Sequence, residues 1–365
     1  IGLIHEDVKF DGENFGLAIC LKNRNKFLNI LLKLTPNVFK NLLKFILFSL
    51  KKKVNNSGEI NIFHKESIRK FNPDIIYTIL GDKELMFYIK NVHMYFNYPL
   101  IIHIMDNWMS DISYEEKEKK NLLKYFLKVA QTRVAINQKM AEKYTSKFSK
   151  KFEVIHNSLD RNEIKKVNNF KTQKTLMYIG SVYKNAQLDS LIKISHAVIS
   201  LYNQNIDIQF KIYLPKHQLD FFESKFPNHN IIRLELNKFN DSEYFTLISE
   251  ANLLILASNF DKKSINYYKY SWPAKMPSYL MSNVPIFILG PLDIFFIEEA
   301  KRKNWGFVCE KNEFKNIKES ISEILYNEQI KKKIVQNAIY ESKKFELNYM
   351  KNKFYKVLEK SINKK

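Results

Sequence analysis

Two successive series of apolar runs, bounded by proline and glycine and separated by helical stretches, predict an α/β fold of two Rossmann-like, doubly wound domains facing a cleft. A length of 365 residues, 45% of them hydrophobic and 14% aromatic, is enough for two cores. Of only eight glycines, Gly81, Gly180 and Gly290 each stand directly after an apolar run, where a tight turn lets backbone approach a ligand. In open α/β sheets that edge holds the site. The boundaries follow the two series. Residues 1–160 form the first domain and 161–174 a linker, 175–327 form the second domain, and 328–365 supply helices that brace the two.

Taken in order, residues 1–21 offer FGLAICL as a strand after a loop containing Gly12. Residues 22–53 carry nine cations and no acid, interleaved with Phe and Leu, which suits two basic amphipathic helices split at Pro36. Such a face is either the solvated side of packed helices or an attachment to an anionic membrane surface, and the pattern leaves both open. PDIIYTILG at 73–81 and PLIIHIMDNW at 99–108 read as buried parallel strands, followed by RVAI at 133–136 and FEVI at 152–155. The polar segment RNEIKKVNNFKTQK is the linker. A second alternating series runs through TLMYIG, DIQFKIY, NIIRLE, NLLILA, PIFILG and GFVC. From Asn327 onward the chain is Lys-rich and helical in pattern, with Tyr340, Phe345, Tyr349 and Phe354 as core anchors.

Lys and Arg outnumber Asp and Glu by 59 to 38, a formal net charge of +21, which favours an acidic partner such as phosphate, anionic lipid or nucleic acid. Cys20 and Cys309 are the only cysteines. Neither a disulfide framework nor a zinc cluster is expected, and a reducing, cytoplasmic compartment fits. The best candidate for a membrane span, 38–50, is short and broken by Lys40 and Lys44.

The stretch 264–290, SINYYKYSWPAKMPSYLMSNVPIFILG, reads as a binding loop, a helix and a strand. Tyr267, Tyr268 and Tyr270 crowd the loop, Pro273 suits the first helical position, and Lys275, Met276, Ser278, Tyr279 and Leu280 follow at helical spacing. Pro285 opens the strand and Gly290 closes it. Ser271 and Lys275 flank the expected helix N-terminus, where free N–H groups and the helix dipole attract anions. That is chemistry suited to a phosphate.

PDIIYTILG, PLIIHIMDNW, INQKMAEKY, FEVIHNSLD, LMYIGSVYKNAQLDSL, EANLLILASNFD and SWPAKMPSYLMSNVPIF, in this order and spacing, resemble the retaining nucleotide-sugar glycosyltransferases of family 4, particularly those of bacterial surface polysaccharides. The resemblance implies the GT-B fold and a hexosyl-type transferase. His103 and Asp106 match the family's catalytic, cleft-facing positions at the end of a first-domain strand. Gly180 matches the glycine after the first strand of the second domain, Lys184 the basic residue for the donor diphosphate, and Ser271, Pro273 and Lys275 the Ser-x-Pro-x-Lys donor loop.

Two departures stand out. Ser278 occupies the position where relatives place Glu on the nucleotide ribose, and Ser181 the position where many have Arg. A serine still reaches a hydroxyl, without the charge assistance that roughly doubles such a bond.

The same resemblance implies metal-independent chemistry with no cofactor, the nucleotide sugar being substrate. It also implies a glycan or lipid-linked acceptor, while the scarcity of cysteine and the basic segment 22–53 lead to the expectation of a cytoplasmic enzyme, peripheral at the inner face of the cell membrane where that segment meets anionic lipid. Nucleic acid is not an expected partner of the transferase. A nucleotide-sugar epimerase on the same fold, turning over donor alone, is one alternative. A non-catalytic basic protein that binds nucleic acid or a partner transferase is another, with salt-sensitive affinity and no turnover.

Overall fold

A computed structural model describes residues 18–21, 62–81, 83–107, 114–161 and 173–362. The basic segment 22–53 and almost all of the expected linker lie outside the described residues. The chain divides into two compact units, Ile1–His156 together with Asn348–Lys365, and Asn157–Leu347. Among the described residues no helix is long and apolar enough to cross a membrane.

In the first unit, β1 (Ala18–Leu21), β2 (Ile75–Leu80), β3 (Leu100–Ile104), β4 (Thr132–Ala135) and β5 (Glu153–Val154) lie side by side in sequence order. β1 runs antiparallel to β2, and the other pairs are parallel. Between them run α1 (Ile62–Phe71), α2 (Lys83–Phe96), α3 (Tyr114–Val129) and α4 (Gln138–Phe148). Asn137 caps α4 by accepting from the Met140 N–H at 2.8 Å, worth about 1 kcal/mol. Every residue of β3 is buried, which is why the strand is apolar at every position but His103. Ile75, Tyr77, Ile101 and Val134 share one core with Met350, Val357 and Leu358 of the last helix, Leu347–Ile362.

The second unit holds β6 (Lys174–Ile179), β7 (Ile208–Leu214), β8 (Ile232–Leu236), β9 (Leu253–Ala257), β10 (Ile286–Leu289) and β11 (Phe307–Cys309). Their order across the sheet is β8-β7-β6-β9-β10-β11, all parallel. Chain order therefore reverses between β6 and β9. That switch point is where open α/β sheets of this kind leave a crevice at the carboxyl ends of the strands.

Five of the helices that cover this sheet are α5 (Leu188–Tyr202), α6 (Lys216–Glu223), α7 (Asp241–Ser249), α8 (Lys262–Tyr268) and α9 (Met276–Met281). They are followed by α10 (Phe295–Lys303), α11 (Phe314–Tyr326) and α12 (Glu328–Ser342), and α13 is the last helix already given. In α5 the buried Leu188, Leu191, Ile194, Val198 and Leu201 recur at helical spacing, and each contributes roughly 1.5–3 kcal/mol of apolar burial. Leu159 and Glu346 bridge as parallel neighbours beside Phe345, whose ring stacks on Trp272.

All ten apolar runs from 73 onward are strands. The final forty residues divide between the units, with α12 in the second and nearly all of α13 in the first.

Candidate functional site

At the switch point, Gly180 ends β6 with φ of +137°, a conformation that side-chain-bearing residues rarely adopt. A Cβ built there would lie 2.9 Å from the Lys275 Nζ. Glycine thus supplies both the turn and the space for the ammonium. That ammonium sits 3.8 Å from the ring centroid of Tyr178 and 6.0 Å from that of Tyr279. The fold has joined residues almost a hundred positions apart.

The loop after Gly180 is held by side chains from four other places. The Tyr178 hydroxyl donates to the Ser181 carbonyl at 2.7 Å, and Gln218 Oε1 accepts from the Val182 N–H at 2.8 Å. Gln187 Nε2 donates to the Tyr268 hydroxyl at 2.8 Å, while its Oε1 accepts from the Tyr183 N–H at 3.0 Å. Asn259, two residues after β9, donates to the carbonyls of Ala186 and Lys184 at 2.6 and 2.9 Å and accepts from the Ser190 N–H at 3.1 Å. Among the described residues the backbone N–H groups of Ser181, Lys184 and Asn185 make no hydrogen bond within the protein. Lys184 itself is exposed.

The donor-loop stretch departs from its sequence-based expectation in three ways. First, α9 begins at Met276 with Lys275 as its N-cap, so Pro277 rather than Pro273 lies in the first helical turn. Both prolines meet the steric demand of that position, but residues 273–275 close a tight turn, with the Met276 N–H on the Pro273 carbonyl at 2.9 Å. At six residues α9 is also short for an appreciable dipole, which leaves the ammonium as the local positive charge.

Second, Tyr267 and Tyr268 stand on α8, capped by Asp261, rather than in a loop. Ser271 is buried, and it bonds the carbonyls of Tyr268 through N–H and Tyr267 through its hydroxyl. Third, the Ser278 hydroxyl is 7% exposed and already engaged, donating to the Lys275 carbonyl at 2.7 Å and pairing with the Tyr244 hydroxyl at 2.8 Å. Tyr244 is aimed by a reciprocal cap at the start of α7, in which Asn240 and Glu243 bond each other's backbone N–H.

Electrostatically this corner is one-sided. Burial pushes the Lys275 ammonium down to about 7, and no carboxylate contributes to that shift. Burial pushes the phenols of Tyr178, Tyr244 and Tyr279 up, so all three stay neutral around it. The Lys275 side chain is half-buried and makes no ion pair among the described residues. A cation so placed, without a counter-charge, suits an anionic ligand.

In the first unit, His103 lies in β3 between Ile79 and Val134, 2% exposed, with its Nδ1 2.6 Å from the Tyr77 hydroxyl. Burial lowers its pKa to about 3, against an opposing pull from the Ile155 backbone, and the ring is neutral. Asp106, two residues past the strand, reaches solvent. The protein crowded around its carboxyl raises its pKa and Lys119 opposes this, while water at the exposed side screens both effects.

The structure therefore brings Gly180, Lys275 and Ser278 into one corner, with Lys184 on the same loop and Ser271 and Pro273 on the approach to α9. Tyr178, Gln187, Tyr244 and Asn259 complete the corner and were not anticipated. Tyr178 and Asn259 left a faint signal, a hydroxyl-bearing aromatic two residues before the strand-ending glycine and an amide two residues after a strand.

Known structures share this fold. A glycosyltransferase from Rickettsia africae superposes with a TM-score of 0.63 at 13% identity over 85% of each chain. Anabaena Alr3699/HepE, solved with UDP-glucose, gives 0.61 at 13% identity over 81% of each. WaaG, a glycosyltransferase involved in lipopolysaccharide biosynthesis, gives 0.53 at 10% identity over 75% of this chain and 81% of its own. At these identities the likeness is one of fold, the two-unit α/β fold of GT-B glycosyltransferases. No known family profile matches the sequence, and no curated protein sequence does.

Proposed function

We propose that this chain is a hexosyl-type glycosyltransferase of the retaining kind, moving a sugar from a nucleotide-diphosphate donor to a glycan or lipid-linked acceptor without a bound metal. The observation that carries the proposal is the Lys275 ammonium held over Gly180 at the switch point of the second unit, with no carboxylate paired to it among the described residues. Glycosyl transfer breaks a sugar–phosphate bond, so the leaving diphosphate gains negative charge as the anomeric carbon becomes cationic. A cation and backbone N–H groups fixed beforehand at that diphosphate stabilise the transition state more than the ground state. Lys275 and the N–H groups of Ser181, Lys184 and Asn185 are the groups we assign to it. Retention follows the resemblance, in which the acceptor attacks from the leaving-group face and the phosphate takes its proton.

Asp106 is assigned to the sugar or acceptor side by direct contact, and His103 to the same side by holding the end of β3. Ser278 is assigned a weaker role toward the donor than a carboxylate would have, because its hydroxyl donor is spent on the Lys275 carbonyl. The basic segment 22–53 is proposed to meet anionic lipid, and co-sedimentation with anionic against neutral vesicles, at low and high salt, tests that part.

The main test is incubation with a panel of uridine, guanosine, adenosine and thymidine diphosphate sugars, with and without a chelator. Thermal stabilisation identifies the donor, and NMR of the product reads the anomeric configuration. Release of nucleotide only in the presence of acceptor, unaffected by chelation, is expected. Turnover of donor alone to an isomeric nucleotide sugar, or no nucleotide binding at all, overturns the proposal.

A further inference from the structure

We propose that Tyr178 is a positioning residue for the reaction above, its ring face being the seat that holds the Lys275 ammonium over Gly180 and turned to the strand edge. This rests on the functional reading just given, in which that ammonium receives the donor's diphosphate.

Five observations carry it. The Nζ lies 3.8 Å from the Tyr178 ring centroid, well inside the roughly 6 Å reach of a cation–π contact, while Tyr279 is at 6.0 Å. The ring itself cannot swing, because its hydroxyl donates to the Ser181 carbonyl at 2.7 Å and accepts from Gln187 Nε2 at 3.3 Å. The residue is 2% exposed. Opposite the ring, Gly180 leaves a space that even a methyl group would close to 2.9 Å. From the other end, the Ser278 hydroxyl, itself paired with that of Tyr244, donates to the Lys275 backbone carbonyl, so both ends of this residue are placed.

Among the described residues the rings facing the ammonium are Tyr178 of β6 and Tyr279 of α9, while Tyr244 of α7 meets Ser278, which bonds the Lys275 backbone carbonyl. All are neutral, so the ring quadrupole is the attractive partner that the described residues supply. A long lysine would otherwise sample many rotamers, and a seat of this kind removes that freedom before the ligand arrives. The ring also belongs to the strand that carries the diphosphate-facing loop. Cation and loop are therefore referenced to one side chain.

The test compares Tyr178→Phe, which keeps the ring and drops the hydroxyl, with Tyr178→Leu, which drops the ring. Tyr178→Met takes the place of the leucine variant if that one does not fold. In 13C-lysine NMR titrations, with the Lys275 signal assigned by its loss in Lys275→Ala, Phe is expected to keep the wild-type midpoint. Leu, with the ammonium still enclosed, is expected to raise its acid dissociation constant by about two- to thirtyfold, the range of a cation–π contact. In calorimetry at pH 7 with UDP, GDP and ADP, the nucleotide that the wild type binds best should bind about tenfold more weakly to Leu and within twofold to Phe.

A midpoint unmoved in Tyr178→Leu, or moved as far in Phe as in Leu, overturns the seat while leaving the transferase reading intact. Failure of the wild type to bind any of UDP, GDP, ADP and thymidine diphosphate overturns that reading instead, whatever the NMR midpoints.

Discussion

β3 and β6 are both central strands flanked by parallel neighbours, yet the polar groups near their carboxyl ends meet opposite surroundings. At β3 a neutral imidazole and a phenol answer each other, His103 to Tyr77, inside a core that α13 closes. At β6 a cation rests on neutral rings with no carboxylate paired to it among the described residues, and three backbone N–H groups of the loop after Gly180 lack partners among those residues. Architecture alone does not make a site. What marks the second edge is its surplus of positive groups, and what marks the first is its neutrality, with the His103 Nε2 buried and unbonded among the described residues.

Removing the charge is the most direct way to break this contrast. Lys275→Ala should lower turnover with saturating donor by roughly ten- to a thousandfold, about 1.4–4 kcal/mol for one preorganised electrostatic contact. Because the side chain is packed against Tyr178 rather than extended into water, a measurable change in denaturation midpoint should accompany it. Full activity in a normally folded variant would make the two edges alike.

Gly180→Ala should act next most strongly. Its φ of +137° imposes backbone strain of about 1–3 kcal/mol, and the 2.9 Å approach to Nζ displaces the ammonium as well. Urea unfolding together with nucleotide calorimetry reads both, and an unchanged protein by both measures would refute the close approach. On the neutral edge, His103→Leu should cost about 1–2 kcal/mol in stability, because it strands the Tyr77 hydroxyl in the core. Its effect on turnover should be smaller than that of Lys275→Ala, and the reverse ranking would move the chemistry to the first unit.

The subtlest contrast is in pH. His103 is held near 3 against an ordinary 6.5, so the unfolded chain binds more protons in that window, and stability falls as pH drops from 6.5 toward 3. Lys275 is held near 7 against 10.5, so its cost is full below 7 and is relieved as pH rises toward 10.5. Unfolding free energies of the wild type against His103→Leu between pH 4.5 and 6.5, and against Lys275→Ala between pH 7 and 9.5, should diverge in those separate windows. Parallel curves would deny either burial.

Much of this was legible in the chain itself. Buried parallel strands must be apolar on both faces, so PDIIYTILG or NLLILA could hardly be anything else once proline and glycine bounded them. Gly180 and Lys275 were readable because each has a local signature. Tyr178, Gln187, Tyr244 and Asn259 had almost none, since each acts on a partner supplied by another element and short-range patterns do not encode such pairings. The onset of α9 was misplaced for a related reason. Pro273 and Pro277 are equally acceptable to a helix start, and the tight turn at 273–275 decides between them.

The placement of α13 has a consequence for how the protein is made. Met350, Val357 and Leu358 complete a core whose other members are Ile75, Tyr77, Ile101 and Val134. On the ribosome, residues 157–347 emerge as one unbroken piece and can close while the earlier sheet still lacks its covering helix. The unit begun first is thus finished last. Its exposed apolar face during that interval is the natural substrate for a chaperone, and a stop codon before Met350 would spare the later unit while leaving the earlier one open to proteolysis.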